Sequence, residues 1–219
     1  MALVMYDLDG TLLDTAGEIA EAVNMTLEAF GHETVSDQQV RDWIGHGTGW
    51  LMKTAWQHTQ GPMDAPWDKV MERFVMHYEK TAGTHSRAFP HVLDTLNRTR
   101  AAGVKQAIVT NKETRFTTRV LEQHGLADAF DMVICGDSLP VKKPNPAVID
   151  HCLAQMGTSA GEALFVGDSQ IDVATAKSAG VVCWAVTYGY NLGKPIEDAM
   201  PDRVIEDIRE VPSFFRAME

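Results

Sequence analysis

Short apolar runs that alternate with amphipathic helical segments are the feature that most constrains the fold of this chain. The runs that predict strands are Lys105–Thr110, Asp131–Cys135, Ala163–Gly167, Val181–Val186 and the short Arg203–Ile205. Helical segments precede or separate them, over Pro90–Ala102, up to Gly125, over Pro146–Met156 and over Ser169–Ala179. Strands that alternate with helices predict an α/β fold with a parallel, doubly wound (Rossmann-like) sheet.

Another strand is predicted at the start of the chain, and it ends in two acidic residues. The apolar run at residues 2–6 leads directly into the segment Asp7–Thr11, which reads Asp-Leu-Asp-Gly-Thr. Carboxylates at the carboxyl end of a strand lie where open α/β sheets bind their ligands. Two acids this close repel each other unless a cation or a shared proton relieves them. We therefore expect a ligand or cation site here.

The residues between this strand and the rest of the sheet predict helices only. These helices run from a capping box at Thr15–Glu18 to Gly31, from Ser36 to about Trp43, from Thr48 to His58 before Gly61-Pro62, and from Pro66 to about Tyr78. We therefore expect an all-helical cap domain, residues 16–84, inserted into a discontinuous core formed by residues 1–15 and 85–219. The linkers between them are expected near residues 14–17 and 82–88.

Three further polar segments follow predicted strands or lie in the next loop. They are Thr110-Asn111, Lys143-Pro144, and Gly167-Asp168-Ser169 with Asp172 one helical turn later. Right-handed crossovers bring the carboxyl ends of parallel strands to one edge of a sheet. Residues far apart in the sequence are therefore expected to meet Asp7 and Asp9 at a single site.

Together these segments resemble the haloacid dehalogenase superfamily of phosphotransferases, and within it the phosphoglycolate phosphatase-like group. The resemblance covers nearly the whole chain. It implies that Asp7 is the nucleophile and Asp9 the general acid/base. It further implies that Thr110 hydrogen-bonds the phosphoryl group, that Lys143 balances the charge of nucleophile and phosphate, and that Asp168 binds magnesium.

Phosphate-ester chemistry is compatible with these residue types. Mg²⁺ prefers hard oxygen ligands, which Asp7, the backbone carbonyl of Asp9, and Asp168 would supply. Asp172, one helical turn after Asp168, would orient a ligand from behind. The backbone N–H of Asn111 would bind the phosphate beside the hydroxyl of Thr110.

The resemblance also gives a role to a glycine-rich segment in the cap, Gly45–Gly49. In relatives the matching loop faces the site and helps to select the substrate, so His46 and Gly47 are candidate substrate-binding residues. The alternative is a turn between two cap helices, with Thr48 as the N-cap of the second.

The acidic pair distinguishes among related chemistries. Among relatives, a dehalogenase would lack Asp9, since it needs no leaving-group protonation and no metal. A phosphonatase-type hydrolase would also replace Asp9, and it would carry a reactive lysine in the cap. The favoured interpretation is Mg²⁺-dependent hydrolysis of a small phosphorylated metabolite through an aspartyl-phosphate, with phosphoglycolate as the first substrate to test. A sugar phosphomutase, a pyrophosphatase and a non-catalytic phosphate-binding protein stay open.

Composition limits the partners. The chain has 19 basic and 30 acidic residues, a formal net charge of −11, so broad attraction to nucleic acid or to an anionic membrane is not expected. No apolar stretch approaches the roughly 20 residues that span a bilayer, and no signal peptide is recognised. Three cysteines without a paired motif predict buried, reduced thiols. We expect a cytoplasmic monomer or homodimer.

Overall fold

The computed structural model describes residues 2–61 and 65–216, and its centre is a sheet of six strands that pair in parallel. The strands of this sheet are β1 (Leu3–Tyr6), β4 (Lys105–Val109), β5 (Met132–Ile134), β6 (Ala163–Gly167), β7 (Val182–Val186) and β8 (Arg203–Ile205). Two shorter strands, β2 (Leu13–Asp14) and β3 (Arg87–Ala88), pair with each other outside it. The sheet order is β5-β4-β1-β6-β7-β8, which places β1 in the middle.

Helices cover both faces of this sheet. Those of the N-terminal half are α1 (Ala16–Ala29), α2 (Asp37–Trp43), α3 (Thr48–His58) and α4 (Trp67–Thr81). Those that follow are α5 (Val92–Ala101), α6 (Thr114–Gln123), α7 (Ala147–Met156), α8 (Gln170–Ser178) and α9 (Val211–Arg216), with four short 3-10 turns between elements. The predicted fold class, a doubly wound parallel sheet with a helical cap, is confirmed.

Strand β1 shows why the sheet is buried on both sides. All four of its residues are fully buried. Val4 and Tyr6 belong to one apolar core, whereas Leu3 and Met5 belong to a second core on the opposite face. Side chains alternate across a strand, so a continuous apolar run satisfies two helical layers at once.

The cap helices α1 to α4 lie between β2 and β3, as the sequence predicted for this stretch. Helix α1 packs against α4 along buried apolar residues that include Val23, Leu27 and Phe74. Helix α3 ends at His58 as expected, although Pro62, one of the residues expected to end it, lies outside the described residues. The exact division at residues 15/16 and 84/85 stays a prediction.

The capping box predicted at Thr15–Glu18 is wrong. Thr15 is the N-cap of α1, but its side chain makes no capping hydrogen bond. The Thr15 hydroxyl donates instead to Asp9 at 2.7 Å. The buried Glu18 carboxylate accepts from the backbone N–H groups of Gly83 and Ser86, at 2.8 and 3.1 Å. The side chains of Thr15 and Glu18 therefore bond to residues outside the helix and do not cap α1.

Part of each segment expected as a linker, near residues 14–17 and 82–88, is paired with the other. Residues 13–14 of β2 run antiparallel to residues 87–88 of β3, with Leu13 opposite Ala88 and Asp14 opposite Arg87. This two-stranded ribbon joins the chain that leaves the core to the chain that returns. Just after it, His91 adopts φ +67°, a left-handed conformation that glycine adopts more readily.

Two composition-based expectations can be compared with the structure. Within the described residues, no helix combines the length and the apolar character needed to cross a membrane. Cys135, Cys152 and Cys183 are buried and not disulfide-bonded, as predicted.

Candidate active site

The carboxyl end of the central strand β1 positions Asp7. Its backbone N–H donates to the carbonyl of Val166 on β6, which continues the strand pairing by one residue. The residue is 9% exposed, and its Oδ1 accepts from the backbone N–H of Leu8 at 2.8 Å. Burial raises the pKa of the Asp7 carboxyl to about 6, although the Lys143 ammonium opposes this shift.

Lys143 comes from the loop after β5 and contacts two carboxylates. Its Nζ lies 2.9 Å from Asp7 Oδ1 and 2.7 Å from Asp172 Oδ1. The side chain is only 2% exposed. Burial opposes the charged form of this group, yet the two carboxylates dominate and hold the pKa of Lys143 above its ordinary value. The lysine is therefore a fixed positive charge beside Asp7.

Asp168 lies in the turn between β6 and α8, and Asp172 lies in the first turn of α8. The Oδ2 of Asp172 accepts from the Ser169 backbone N–H at 3.0 Å and from the Ser169 hydroxyl at 2.8 Å. Asp168 accepts from the hydroxyl of Thr11 and from the backbone N–H of Tyr190, both at 2.8 Å. The α8 N-terminus and the segment after Asp9 thus hold both acids in place.

Gly10 explains why the segment Asp7–Thr11 contains a glycine. It has φ +86°, and a Cβ at this position would collide with the Asp168 carboxylate. Only glycine combines this backbone conformation with such a close approach. The turn therefore brings the end of β1 directly against the end of β6.

The chemistry of this cluster fits a divalent cation. One carboxylate oxygen from each of Asp7, Asp168 and Asp172 can be chosen so that all lie within 4.8 Å of one another. Burial, followed by the charges of Asp172 and Asp7, raises the pKa of Asp168. Lys143 is the ammonium that contacts this set, so three ionised carboxylates would leave an excess of negative charge. Mg²⁺ would relieve it through the oxygen ligands that it prefers.

The Asp9 side chain points away from that cluster. Its Oδ1 accepts from the hydroxyl of Thr15 at 2.7 Å and lies 3.0 Å from the Nζ of Lys112. The predicted metal ligand at this position was its backbone carbonyl, and that stays a prediction. The two aspartates of the motif therefore occupy different environments, one beside Lys143 and the other beside Lys112.

Lys112 is a site residue that the sequence analysis missed. It follows Thr110-Asn111 directly, its side chain is 2% exposed, and its Nζ also donates to the hydroxyl of Tyr78 on cap helix α4. In the sequence analysis Tyr78 marked only the expected end of the fourth cap helix. The position of Lys112 could have indicated a role in the site, because the residue lies just beyond the carboxyl end of β4, where open α/β sheets bind their ligands.

Thr110 and Asn111 lie at the end of β4, the neighbour of β1. The Thr110 hydroxyl accepts from the backbone N–H of Lys112 at 3.2 Å. The Asn111 side-chain amide donates to the carbonyl of Gly45 at 2.8 Å and to that of Lys143 at 3.0 Å. Asn111 thus ties the cap loop to the loop that carries Lys143.

The cap loop Gly45–Gly49 contributes unequally to the site. Gly47 lines a cavity of about 40 Å³ between cap and core, but His46 is not among the described residues that line it. The His46 ring packs on Trp50, with centroids 4.7 Å apart, and its carbonyl accepts from Lys142. The alternative assignment of Thr48 as N-cap is wrong, because Gly47 holds that position and the Thr48 hydroxyl donates to Glu113.

The cavity contains most of the residues expected to meet a substrate. Its lining comprises Asp7, Asp9, Ile19, Ile44, Gly45, Gly47, Thr48, Leu51, Tyr78, Thr110, Asn111 and Lys112. The structure therefore brings Asp7, Asp9, Thr110 and Asn111 together on one surface, with Lys143, Asp168 and Asp172 adjoining Asp7. A parallel sheet with acids at its strand ends and a helical cap above them defines a class of phosphate-handling hydrolases.

Comparison with known proteins gives the same class. The sequence model of the haloacid dehalogenase-like hydrolases matches residues 4–186. The phosphoglycolate phosphatase of Vibrio cholerae is 42% identical over 210 residues, which cover 94% of this chain and 93% of that protein. Phosphoglycolate phosphatase 1 of Pseudomonas aeruginosa is 38% identical over 95% of this chain and 78% of its own length.

A solved structure shows the same architecture. The crystal structure of a predicted phosphoglycolate phosphatase from Haemophilus somnus superposes with a TM-score of 0.93 at 31% identity, covering 98% of this chain and 97% of that one. The chain belongs to the haloacid dehalogenase-like hydrolase family, and it is an enzyme of the phosphoglycolate phosphatase-like group.

Proposed function

We propose that this enzyme hydrolyses a small phosphate monoester, phosphoglycolate above all, through an aspartyl-phosphate on Asp7. The observation that carries the proposal is the different setting of the two aspartates. Asp7 lies beside Lys143 at 2.9 Å, whereas Asp9 lies beside Lys112 at 3.0 Å. Two carboxylates in separate environments can take separate roles, one as nucleophile and the other as acid/base.

In the first step an Asp7 carboxylate oxygen attacks phosphorus and the ester P–O bond breaks. Lys143 fixes the orientation of Asp7 and offsets charge as the phosphoryl group arrives. Protonated Asp9 gives its proton to the departing oxygen, so that the leaving group departs as an alcohol. The hydroxyl of Thr110 and the backbone N–H of Asn111 are proposed to hold the phosphoryl oxygens, because fixed donors stabilise such transition states.

In the second step a water molecule attacks the phosphorus of the aspartyl-phosphate. Asp9, now a carboxylate, accepts a proton from that water, and inorganic phosphate leaves with the Asp7 carboxylate restored. Thr15 and Lys112 hold the Asp9 carboxylate in one place for both proton transfers. The sequence of steps returns every group to its starting state.

The proposed cofactor is Mg²⁺. Asp7, Asp168 and the backbone carbonyl of Asp9 would hold it, with Asp172 behind them orienting Lys143 and the α8 N-terminus. When bound, Mg²⁺ supplies charge neutralisation between the phosphate and the nucleophile. The raised pKa values of Asp7 and Asp168 support a site that is completed by a cation.

Phosphoglycolate is proposed as the substrate because the relatives with substantial identity carry that name and the cavity is small. The test is phosphate release from phosphoglycolate, pyrophosphate, sugar phosphates and nucleoside monophosphates, with and without Mg²⁺. A kcat/KM preference of roughly tenfold or more for phosphoglycolate would support the proposal. Similar rates on many esters would contradict the proposal that phosphoglycolate is the preferred substrate. The absence of magnesium-dependent phosphate release from every ester would contradict the proposed phosphatase activity.

Asp9→Asn tests the acid/base assignment within the same assay. The variant keeps a side chain of the same size but cannot give or take the proton. We expect little turnover of phosphoglycolate, with phosphoenzyme trapped only from esters that have good leaving groups. Hydrolysis of phosphoglycolate at the wild-type rate would contradict the role. The expected partner is a small phosphorylated metabolite, and the cytoplasmic location and the monomer or homodimer state stay predictions.

A further inference from the structure

We propose that Lys112 and Tyr78 form a subsite for the carboxylate on the leaving group of the substrate. This inference rests on the proposed phosphatase function and deepens it, because it names the chemical class of the leaving group. Neither residue has a role in the two-step chemistry beyond the contact of Lys112 with Asp9. Both line the cavity between cap and core.

The first observation is the burial of a positive charge. The Lys112 side chain is 2% exposed and contacts one carboxylate, that of Asp9. A buried ammonium is costly unless it is paired and hydrogen-bonded. Its side chain carries three N–H donors and no acceptor. Lys112 is also the one cation among the described residues that line the cavity, so it is the group there that can offset a second negative charge on a ligand.

The second observation is the free proton of the Tyr78 hydroxyl. Lysine can only donate, so the oxygen of Tyr78 accepts in its contact with Lys112. Within the described part of the chain Lys112 is the one hydrogen-bond partner found for this hydroxyl, which leaves the O–H to donate elsewhere. Packing fixes the ring, with its centroid 4.2 Å from that of Phe116. A buried tyrosine hydroxyl usually finds an acceptor, and the cavity is where one would be supplied.

The third observation is the short distance between the Lys112 ammonium and the expected position of the ester oxygen. If Asp9 protonates the ester oxygen, that oxygen lies within hydrogen-bond reach of Asp9, about 3 Å. The Nζ of Lys112 lies 3.0 Å from the same carboxylate. The ammonium is therefore at most about 6 Å from the ester oxygen. A carboxylate attached one carbon from the ester oxygen falls within this range, whereas a charge at the far end of a longer chain does not.

The remaining wall of the cavity argues against a large polar leaving group. Ile19, Ile44 and Leu51 supply apolar surface to the same cavity. The Thr48 hydroxyl, which also lines it, already donates to Glu113. A sugar hydroxyl placed there would lose hydrogen bonds to water without replacement. A short leaving group with one carboxylate would place its charge at Lys112 and Tyr78 and its carbon against the apolar residues.

The experiment compares phosphoglycolate with the phosphate ester of glycolamide, which has the same size and chemistry at phosphorus but no carboxylate charge. The kcat/KM values for both esters are measured in the wild-type enzyme and in Lys112→Met, Tyr78→Phe and Lys142→Met. Lys142 is the matched control, because it also joins core to cap, through the His46 carbonyl, but does not line the cavity.

The wild type is expected to prefer phosphoglycolate by about tenfold or more, which is the effect of a hydrogen bond to a charged group. Lys112→Met should abolish that preference, Tyr78→Phe should reduce it several-fold, and Lys142→Met should preserve it. Lys112→Arg, which keeps the charge, should retain part of the preference. If Lys112→Met fails to fold, this arginine variant and Tyr78→Phe still test the subsite.

Three results would overturn the inference, and they are distinguishable. Equal losses on both esters in Lys112→Met would mean that this lysine only positions Asp9. A wild-type enzyme that hydrolyses both esters equally well would leave the phosphatase function intact but remove the carboxylate subsite. A wild-type enzyme that releases phosphate from neither ester, nor from the wider panel, would contradict the proposed function itself.

Discussion

At the scale of single residues, two lysines divide the site between them. Lys143 contacts Asp7 and Asp172, and Lys112 contacts Asp9 and Tyr78. Both ammonium groups are nearly inaccessible to solvent, so their charges act on the neighbouring carboxylates with little screening. The separation lets two acids of one short motif keep different surroundings, which is what distinct chemical roles require.

Asp7→Asn is expected to lower phosphate release by roughly four orders of magnitude or more, because an amide cannot replace the attacking carboxylate. Its oxygen can still accept from Leu8 and Lys143, so the variant should fold. Phosphate release and urea unfolding measure the two effects, and mass spectrometry must show no deamidation to Asp. Asp150→Asn, on the exposed face of α7, is the control. Substantial turnover by intact, undeamidated Asp7→Asn protein would contradict the nucleophile.

The pKa of Asp7 predicts a pH dependence of stability. Burial raises this pKa from 3.8 to about 6, so the folded protein holds the proton more tightly than the unfolded chain does. The contribution of Asp7 to the free energy of unfolding is therefore fully present below about pH 4 and is lost as the pH rises to about 6. Urea unfolding of wild type and Asp7→Asn in metal-free buffer measures it as the difference between the two pH profiles, which includes the response of the neighbouring Asp168 to the lost charge. Parallel pH curves would contradict the shift.

Apolar runs in the sequence identified the site residues at strand ends, but they did not identify Lys112, which contacts one of them. Asp7, Asp9, Thr110 and Asp168 follow apolar runs, so their positions were predictable. Lys112 resembles a surface lysine in sequence, and its burial depends on a cap helix that packs over it. A contact between the cap and the core, whose residues are far apart in the sequence, leaves no periodic pattern in the sequence.

At the scale of elements, the side chains of Thr15 and Glu18 at the start of helix α1 bond to other segments and do not cap the helix. The Thr15 hydroxyl holds Asp9, and the Glu18 carboxylate holds the backbone of the returning segment at Gly83 and Ser86. Local capping rules could not predict this, because they consider only residues of the same turn. The helical periodicity of the apolar residues did predict helices α1 to α8 to within a few residues at their ends, but it did not predict α9.

Glu18→Ala should reduce the free energy of unfolding by about 1–3 kcal/mol, because two backbone N–H groups lose their acceptor. Glu18→Gln is the matched control, since it keeps an amide oxygen in the same place. Burial raises the pKa of Glu18, so the neutral glutamine should cost less than the alanine. Urea unfolding at pH 7 measures both variants. Equal stability of Glu18→Ala and wild type would show that these contacts do not stabilise the fold.

The strands show the same limit of sequence reasoning. Five strands of the large sheet were predicted from apolar runs of three or more residues, and the short β8 was predicted from two, Val204 and Ile205. Strands β2 and β3 have two residues each, too few for any alternation to be seen, and their pairing joins residues more than seventy positions apart. Their existence follows from the cap being an insertion, not from their composition.

At the scale of the whole molecule, strand order assembles the site. Strand β1 lies between β4 and β6, so Asp7 has Thr110 on one side and Asp168 on the other. Lys143 reaches in from the loop after β5, and the cap closes the opposite side with Tyr78 and Gly47. The site is therefore complete only in the folded protein.

Mg²⁺ is consequently expected to stabilise the whole fold, by about 2.7 kcal/mol when its concentration is a hundred times the dissociation constant. Asp168→Asn should lose most of this effect. Thermal and urea unfolding with MgCl₂, against NaCl of equal ionic strength, measure it. Asp150→Asn should respond as the wild type does. An equal response of Asp168→Asn, or of the wild type to NaCl, would contradict a specific site.

The ribbon of β2 and β3 makes the molecule modular. Because Asp14 and Arg87 are paired neighbours, the polypeptide leaves and re-enters the sheet at practically one point. A different helical module with adjacent termini could be grafted at this junction while the order of the six strands stays unchanged. The acidic residues at the strand ends and the inserted helices thus lie in separate stretches of the sequence, so the insertion could change in length or composition while the strands that carry the acids are kept.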